Sequence, residues 1–176
     1  MSERSERLKG TEGFRPESSS GDNQRGRQVA RKQAHWVRQV AAVVAVVFLL
    51  VGIAGFIPGI TTHYSDLSFA GHMSDAKLLG LFQVSVLHNI VHLLFGVVGL
   101  ALARSSVGAT HYLIWGGVIY AVLWFYGLVI DRNGSANFVP VNNADNWLHL
   151  GLAIGMVLLG LIGRRAMIAP GPRVEA

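Results

Sequence analysis

The chain has 176 residues, of which 51% are hydrophobic and only 14% are charged. Soluble domains carry about 25% charged residues, and the shortage here is concentrated after residue 38, where only six basic and five acidic groups remain. A water-soluble fold of that size could not cover its surface, so the composition excludes a soluble globular enzyme. The length fits one domain. The absence of cysteine excludes disulfides, thiolate metal sites and cysteine nucleophiles.

Residues 1–35 form a segment rich in Ser, Gly, Glu and Arg, whose few apolar residues show no periodicity. Such a segment cannot bury enough apolar surface to offset the entropy lost on ordering. The sequence therefore predicts a disordered tail before the first apolar run.

Four apolar runs follow, and each is a candidate transmembrane helix. The predicted spans are about 40–60, 80–103, 109–130 and 146–163. A hydrocarbon core of about 30 Å takes about 20 helical residues, and a spanning segment must satisfy its own backbone hydrogen bonds. We therefore predict an all-α fold, an integral membrane four-helix bundle over residues 36–165 with a short C-terminal tail at 166–176.

The basic residues are distributed asymmetrically, which predicts the orientation of the bundle. The net charge is +5 and the pI is ≈ 10.1, but nine of the fifteen Lys and Arg residues precede residue 39. Four more, at positions 104, 164, 165 and 173, fall on the same side of a four-span chain. Cytoplasmic segments carry such an excess of positive charge. We expect a multi-pass protein of the cell (inner or plasma) membrane with both termini in the cytoplasm.

The basic tail suggests two partners, of which one is excluded. It lacks interleaved aromatic residues and any recognition fold, so nucleic acid is not an expected partner. Anionic lipid head groups of the inner leaflet are the alternative, unless the charge serves only as a topology signal.

Small residues recur at helix-packing spacing, most clearly in the fourth span at Gly151, Gly155, Gly160 and Gly163. Glycine permits the close backbone approach on which helix association in lipid depends. The spacing predicts packing within the bundle, and a homo-oligomer through the fourth span is the alternative.

Polar side chains within the spans fall at one depth, in the predicted outer half of the bundle. His88 and His92 lie one turn apart on the same helix face, and counting from the inner arginines places His149 at a similar level. Further polar residues can join them: Asn89, Asp145 and Asn146, with His63 and His72 from the loops. Intramembrane polar residues are candidates for function.

Three interpretations of the histidines His88, His92 and His149 remain open. They can bind a metal ion such as zinc or copper, for which two imidazoles spaced i, i+4 and a third from another helix would suffice. They can bind haem iron. They can also be neutral residues that hydrogen-bond loop carbonyls and asparagine side chains. The metalloprotease pattern H-E-x-x-H is absent.

Three blocks carry a resemblance to a known family: GFIPGITTHY at 55–64, SFAGHMSDAKLLGLFQVSVLHNIVHLLFGVVGLALAR at 68–104, and YGLVIDRNGSANFVPVNNADNWLHLGLAIGM at 126–156. Over about residues 36–163 the chain resembles the bacterial, mainly actinobacterial, membrane family called domain of unknown function 4383. The resemblance implies a four-helix integral membrane protein and no particular activity.

The function that the sequence favours is therefore a non-enzymatic membrane protein of structural or interaction type, with its polar cluster as the site of any ligand. The alternative is a metal- or haem-binding redox protein that uses His88, His92 and His149. No Asp, Glu, Lys or Arg lies within a predicted span, which argues against an ion pump or a charge-driven transporter.

Overall fold

The computed structural model describes residues 18–168 of the chain. The elements follow in this order: α1 (Ser18–Ala54), β1 (Thr61–Thr62), a 3-10 helix (Tyr64–Asp66), β2 (Lys77–Leu78), β3 (Phe82–Gln83), α2 (Val86–Leu102), α3 (Ser106–Val129) and α4 (Asn143–Ile168). The predicted helical membrane architecture is confirmed for α1, α3 and α4, each of which contains a segment long and apolar enough to cross a membrane. Helix α2, with 17 residues, is apolar but shorter.

Helix α1 begins well before the apolar run that it contains. Residues 18–35, which the composition predicts to be disordered, are helical. Once the apolar part of a helix has formed, each added residue gains a hydrogen bond without a new nucleus, and the Gln, Arg, Ala and Lys residues of this stretch are favourable helix formers. The rest of the predicted tails, residues 1–17 and 169–176, lies outside the described residues.

Helix α2 begins at Val86, six residues after the predicted start of the second span. The preceding residues form a β-hairpin, because Leu79 and Gly80 have positive φ angles of 53° and 72° that a helix cannot contain. Ser85 then caps α2, its side chain accepting a hydrogen bond from the backbone N–H of His88 at 3.1 Å. The prediction of a helix from residue 80 is therefore wrong.

Strands β1, β2 and β3 form an antiparallel three-stranded sheet in that order, which an all-α prediction misses. The sheet has its own small core of Ala76, Leu78 and Val84. That core packs against Val51 and Ala54 at the end of α1. The sheet and the long loops thus cover one end of the helices, which we call the loop end.

The helices pack in two pairs, α1 with α2 and α3 with α4, and each pair is packed more extensively than α2 is with α3. Aromatic side chains join the pairs near the middle of the helices. Phe48 of α1 stacks on Tyr120 of α3 with ring centroids 5.4 Å apart, and both rings contact Phe95 of α2 edge-on. The buried core of the helices therefore centres on an aromatic cluster just inside the loop end.

Glycine permits close approach within the α3–α4 pair. A Cβ atom on Gly117 would lie 2.9 Å from both the carbonyl oxygen of Ala153 and the backbone nitrogen of Val157. In contrast, a Cβ atom on Gly151 or Gly155 would meet nothing within 4 Å among the described residues. These two glycines of α4 therefore take no part in packing within the bundle, and the homo-oligomer through this helix stays a prediction.

The loops before α2 and before α4 are joined by hydrogen bonds to backbone carbonyls at the loop end. The N–H of Gly71 donates to the carbonyl of Phe138 at 2.7 Å, and the side-chain amide of Asn142 donates to the carbonyl of Leu81 at 2.7 Å. These bonds connect the half of the molecule that contains α2 to the half that contains α4. They fix the position of the loop that borders the site described next.

Candidate functional site: a histidine cavity

A cavity of ≈ 40 Å³ lies near the loop end, between α2, α3 and α4. We call it the histidine cavity, because His88 and His92 of α2 and His149 of α4 form part of its wall. The wall is completed by two tyrosines and four aliphatic residues: Tyr120, Tyr126, Val91, Leu123, Val139 and Val141. Since a single water needs about 10–15 Å³ of such space, the cavity can hold a few waters or one small group.

The two histidines of α2 are arranged by their helix. Their rings stack in parallel with centroids 4.5 Å apart and an interplanar angle of 5°. The Nδ1 atom of His92 lies 3.0 Å from the carbonyl oxygen of His88. Because a carbonyl can only accept, this Nδ1 carries the hydrogen, and in a neutral imidazole Nε2 then keeps the lone pair. His92 therefore presents a hydrogen-bond acceptor.

Aromatic contacts hold the remaining groups of the wall. The ring of His149 lies 5.3 Å from that of Tyr120, and the ring of Phe48 lies 5.6 Å from that of His92. Because Phe48 also stacks on Tyr120, one apolar ring contacts both a histidine of α2 and the tyrosine that faces His149. The imidazoles of His92 and His149 are thus positioned by rings from α1 and α3.

Two ring nitrogens beside the cavity lack partners. His88 and His149 are only 7% and 5% exposed, and their Nδ1 atoms make no hydrogen bond with any residue from 18 to 168. A buried polar atom left in this way costs about 1–3 kcal/mol, and nearly all such atoms in proteins have a partner. Both Nδ1 atoms are inaccessible even to a water-sized sphere, so a group in the cavity would contact these two imidazoles through their other ring atoms.

Asp145 lies near the histidine cavity, and its hydrogen bonds connect two segments that border the cavity. Its Oδ2 atom accepts hydrogen bonds from the backbone N–H of Gln83 at 3.1 Å and of Asn142 at 2.9 Å. Asp145 is 2% exposed and does not line the cavity. It therefore acts as a structural tie between β3 and the start of α4.

The two asparagines of the sequence-predicted cluster are packed into helix contacts. Asn89 lies against Gly55, and Asn146 lies against Gly127. Both side chains are buried, and neither belongs to the cavity wall. In the described part of the chain, Asn89 Nδ2 and Asn146 Oδ1 have no hydrogen-bond partner.

The loop histidines do not join the cluster. His63 is exposed and has a φ angle of 48° just before the 3-10 helix. The carbonyl of His72 receives a long hydrogen bond of 3.5 Å from the side chain of Gln83. Neither residue lines the histidine cavity. Of the eight predicted site residues, the structure thus brings His88, His92 and His149 together around one cavity.

The tyrosines of the wall are absent from the sequence-based site. Tyr126 hydrogen-bonds through its hydroxyl to the carbonyl of Ala136, and Tyr120 is 4% exposed. Depth counting along α3 could have found Tyr120, because it lies nine residues, about 13 Å, inside the helix end at Val129. Aromatic residues in apolar helices are usually core residues, so the residue type alone gives no such signal.

The sequence leaves two cofactors open, a metal ion and a haem, and the geometry of the site can be compared with each. Within residues 18–168, no group of three or more His, Cys, Asp or Glu side chains is placed to hold a metal ion. A haem is far larger than a cavity of ≈ 40 Å³. The cavity as it stands therefore accommodates a small group rather than a macrocycle.

Comparison with known proteins identifies the family. No curated protein and no solved structure matches the chain. The family model described as "Domain of unknown function (DUF4383)" matches residues 38–162. This range contains α2, α3, the sheet and every residue of the cavity wall, together with α1 from residue 38 and α4 up to residue 162. The chain belongs to the DUF4383 family.

Proposed function

We propose that the chain is a non-enzymatic, four-span membrane protein of interaction type, whose histidine cavity binds a small ligand. The observation that carries this proposal is the gathering of His88, His92 and His149 around one cavity whose nine wall residues include no Asp, Glu, Lys or Arg. A protein that needed these histidines only for packing would gain stability by replacing them with apolar residues.

In the proposed orientation both termini are cytoplasmic and the loop end faces outward from the plasma membrane. The excess of Lys and Arg at one end of the spans supports it. An even number of crossings requires α2 to span as well, and its 17 residues reach about 26 Å. The turn at 79–81 exposes the apolar side chains of Leu79 and Leu81. It therefore adds to the length of apolar surface that α2 offers to lipid at the loop end.

Reporter fusions test this topology. A reporter joined after Ala176 should be active on the cytoplasmic side, and one inserted after Ser135 should be active on the opposite side. Equal signals from the two positions would contradict four crossings.

Native mass spectrometry of the protein released from membranes in mild detergent tests ligand binding. We expect the wild-type chain to carry an additional non-protein mass that His149→Phe lacks. The control is His111→Phe, which replaces an exposed histidine of α3 and should keep the mass. A wild-type protein without a bound molecule, or a mass kept by His149→Phe, would contradict the proposal.

The second candidate is a metal-binding redox protein, and the clustering of three imidazoles around one cavity favours it. It requires His149 to move toward His88 and His92, since no preformed metal group exists in the described residues. Metal analysis and an absorption spectrum of the purified protein distinguish the candidates. Stoichiometric metal that is lost when His88, His92 and His149 are all replaced by alanine would support the second candidate over the first.

A further inference from the structure

We infer that the bundle consists of two equivalent helical hairpins, α1–α2 and α3–α4, docked about an approximate two-fold axis, and that His92 and His149 are the counterpart residues that contact a ligand between them. The equivalence of the hairpins rests on packing alone. The assignment of the two histidines rests on the proposed function and names the residues of that same site that touch the ligand.

The second helix of each hairpin begins with the same pattern of residues. The pattern N-x-x-H occurs in both, as NIVH at 89–92 and as NWLH at 146–149. Four residues before the asparagine stands a helix cap, Ser85 for α2 and Asn142 for α4. Each cap side chain accepts a hydrogen bond at 3.1 Å from the backbone N–H of the third residue after it. Cap, asparagine and histidine thus follow one another at the same spacing in α2 and α4.

The asparagine of each pattern packs against the first helix of its own hairpin in the same way. Asn89 lies against Gly55, which directly follows α1, and Asn146 lies against Gly127, near the end of α3. An added Cβ atom on either glycine would overlap the asparagine side chain. The two hairpins therefore share this close contact at the loop end.

The helices of each hairpin cross at one alanine and one glycine. A Cβ atom on Gly96 would lie 2.8 Å from the carbonyl oxygen of Ala45, and a Cβ atom on Gly117 would lie 2.9 Å from that of Ala153. These residues are counterparts, because Gly96 and Ala153 each follow their asparagine by seven residues, while Ala45 and Gly117 each precede their glycine by ten. Each crossing holds one methyl group, on the first helix in one hairpin and on the second helix in the other.

The aromatic rings relate the two hairpins to each other. Phe48 and Tyr120 each precede the glycine at the end of their helix by seven residues. The ring of Phe48 lies 5.6 Å from that of His92 at an angle of 47°, and the ring of Tyr120 lies 5.3 Å from that of His149 at 52°. Phe48 and Tyr120 also stack on each other. A contact between a residue and its own counterpart is typical of two units related by a two-fold axis.

The equivalence separates the histidines of the cavity wall by role. His92 and His149 are counterparts and both line the cavity, whereas the counterpart of His88 is Asp145, which does not. The Nδ1 atom of His92 bonds to a backbone carbonyl and that of His149 is closed off, so Nε2 is the nitrogen that each ring offers to a ligand. His88, whose ring stacks on that of His92 at 4.5 Å, is a positioning residue.

A rescue experiment on the full chain in detergent micelles tests the equivalence without any ligand. Gly96→Ala adds a second methyl group to the first crossing and should lower the midpoint of thermal unfolding by about 3–8 °C. Adding Ala45→Gly gives this crossing the arrangement of the second hairpin and should restore about half of that loss, the remainder being the lower helix propensity of glycine. Ala41→Gly, one turn earlier at an equally buried residue, should restore none.

Native mass spectrometry of the mass that co-purifies with the full chain tests the roles of the histidines. Phenylalanine is used at each position because it keeps an aromatic ring in the packing. We expect His92→Phe to lose the mass, as His149→Phe does, and His88→Phe to keep it, since a ring still stacks on His92 and the backbone carbonyl at 88 remains. His88→Ala, which removes the stacked ring, should reduce the mass.

The equivalence is overturned by a Gly96→Ala variant as stable as the wild type, by no recovery with Ala45→Gly, or by equal recovery with Ala41→Gly. A mass that His92→Phe keeps or that His88→Phe loses would overturn the assignment of the histidines. The proposed function fails separately. A wild-type chain without a co-purified mass, together with the rescue, means two equivalent hairpins around a cavity that is not a binding site.

Discussion

The carboxylate of Asp145, in the first turn of α4, accepts a hydrogen bond at 3.1 Å from the backbone N–H of Gln83 in β3, a residue 62 positions earlier in the chain. The same oxygen accepts from the N–H of Asn142 at 2.9 Å. One buried atom therefore connects the sheet before α2 to the start of α4, and this connection borders the histidine cavity.

Replacing Asp145 with alanine should lower the free energy of unfolding by about 1–3 kcal/mol, because two backbone N–H groups lose their acceptor in a partly buried place. Asp145→Asn keeps one side-chain oxygen and should cost less. The control is Asp75→Ala, since Asp75 is 64% exposed and forms only a surface ion pair with Lys77, and its loss should change stability by less than about 0.5 kcal/mol. Unfolding in detergent micelles, followed by circular dichroism, measures each value. Equal effects at positions 75 and 145 would contradict the structural role of Asp145.

Gly117→Ala should destabilise the α3–α4 pair by about 1–3 kcal/mol, the usual cost of overpacking. The added methyl group would lie 2.9 Å from backbone atoms of Ala153 and Val157, which cannot rotate away. Gly155→Ala serves as the matched control, because its methyl group would meet nothing within 4 Å in the described structure, and alanine favours the helix by up to about 1 kcal/mol over glycine. A comparison of thermal unfolding should therefore give shifts of opposite sign, and a loss of stability in Gly155→Ala would instead indicate a contact with another molecule.

Ser85→Ala should cost about 1 kcal/mol of stability, since it removes the side chain that caps α2. It should also reduce the co-purified mass expected for the wild-type chain, because the hydroxyl of Ser85 accepts from the backbone N–H of His88 at 3.1 Å and so sets the position of that histidine. Ser105→Ala removes the equivalent cap of α3, where the oxygen accepts from Gly108 at 3.0 Å in an exposed place. That variant should keep the co-purified mass. Equal amounts of this mass in the two variants would show that the cap has no influence on the cavity.

Leu79→Gly should keep or raise stability, although it removes a large apolar side chain. Leu79 is 66% exposed, and its φ angle of 53° is a left-handed conformation that costs a non-glycine residue about 1–2 kcal/mol. Leu81→Gly is the control in the same turn, because Leu81 is similarly exposed, at 59%, and has no positive φ. The control should lose about 0.5–1 kcal/mol through backbone entropy alone. Urea titration of both variants provides the comparison, and a larger loss in Leu79→Gly would mean that the side chain at 79 is itself bound, for example by lipid.

Hydropathy predicts the helices well where a run is both long and free of turn residues. The segments Ser106–Val129 and Asn143–Arg165 contain the predicted third and fourth spans almost whole. The second span fails because hydropathy measures composition and not conformation. Residues 80–85 continue the apolar run without a charge, yet a left-handed turn at Leu79 and a cap at Ser85 end any helix there. The position of this turn and of this cap depends on contacts with the rest of the fold, which local propensity does not specify.

The site could be predicted in part. The i, i+4 spacing of His88 and His92 and the depth of His149 indicate three imidazoles at one level, and the structure gathers them around one cavity. The same counting does not separate cavity residues from packing residues. It therefore groups Asn89 and Asn146, which lie against glycines of neighbouring helices, with the three histidines. The wall residue Tyr120 depends on how α3 turns against α4, and a single sequence carries no record of that rotation.

The pairing of the helices has a consequence for the order of folding. Each pair, α1 with α2 and α3 with α4, joins helices that are consecutive in the chain, so each can form early at a small cost in loop entropy. The histidine cavity takes its wall from both pairs, and it exists only after they have docked. A molecule that fills it would then hold the two halves together, and its binding free energy would add to the stability of the docked state.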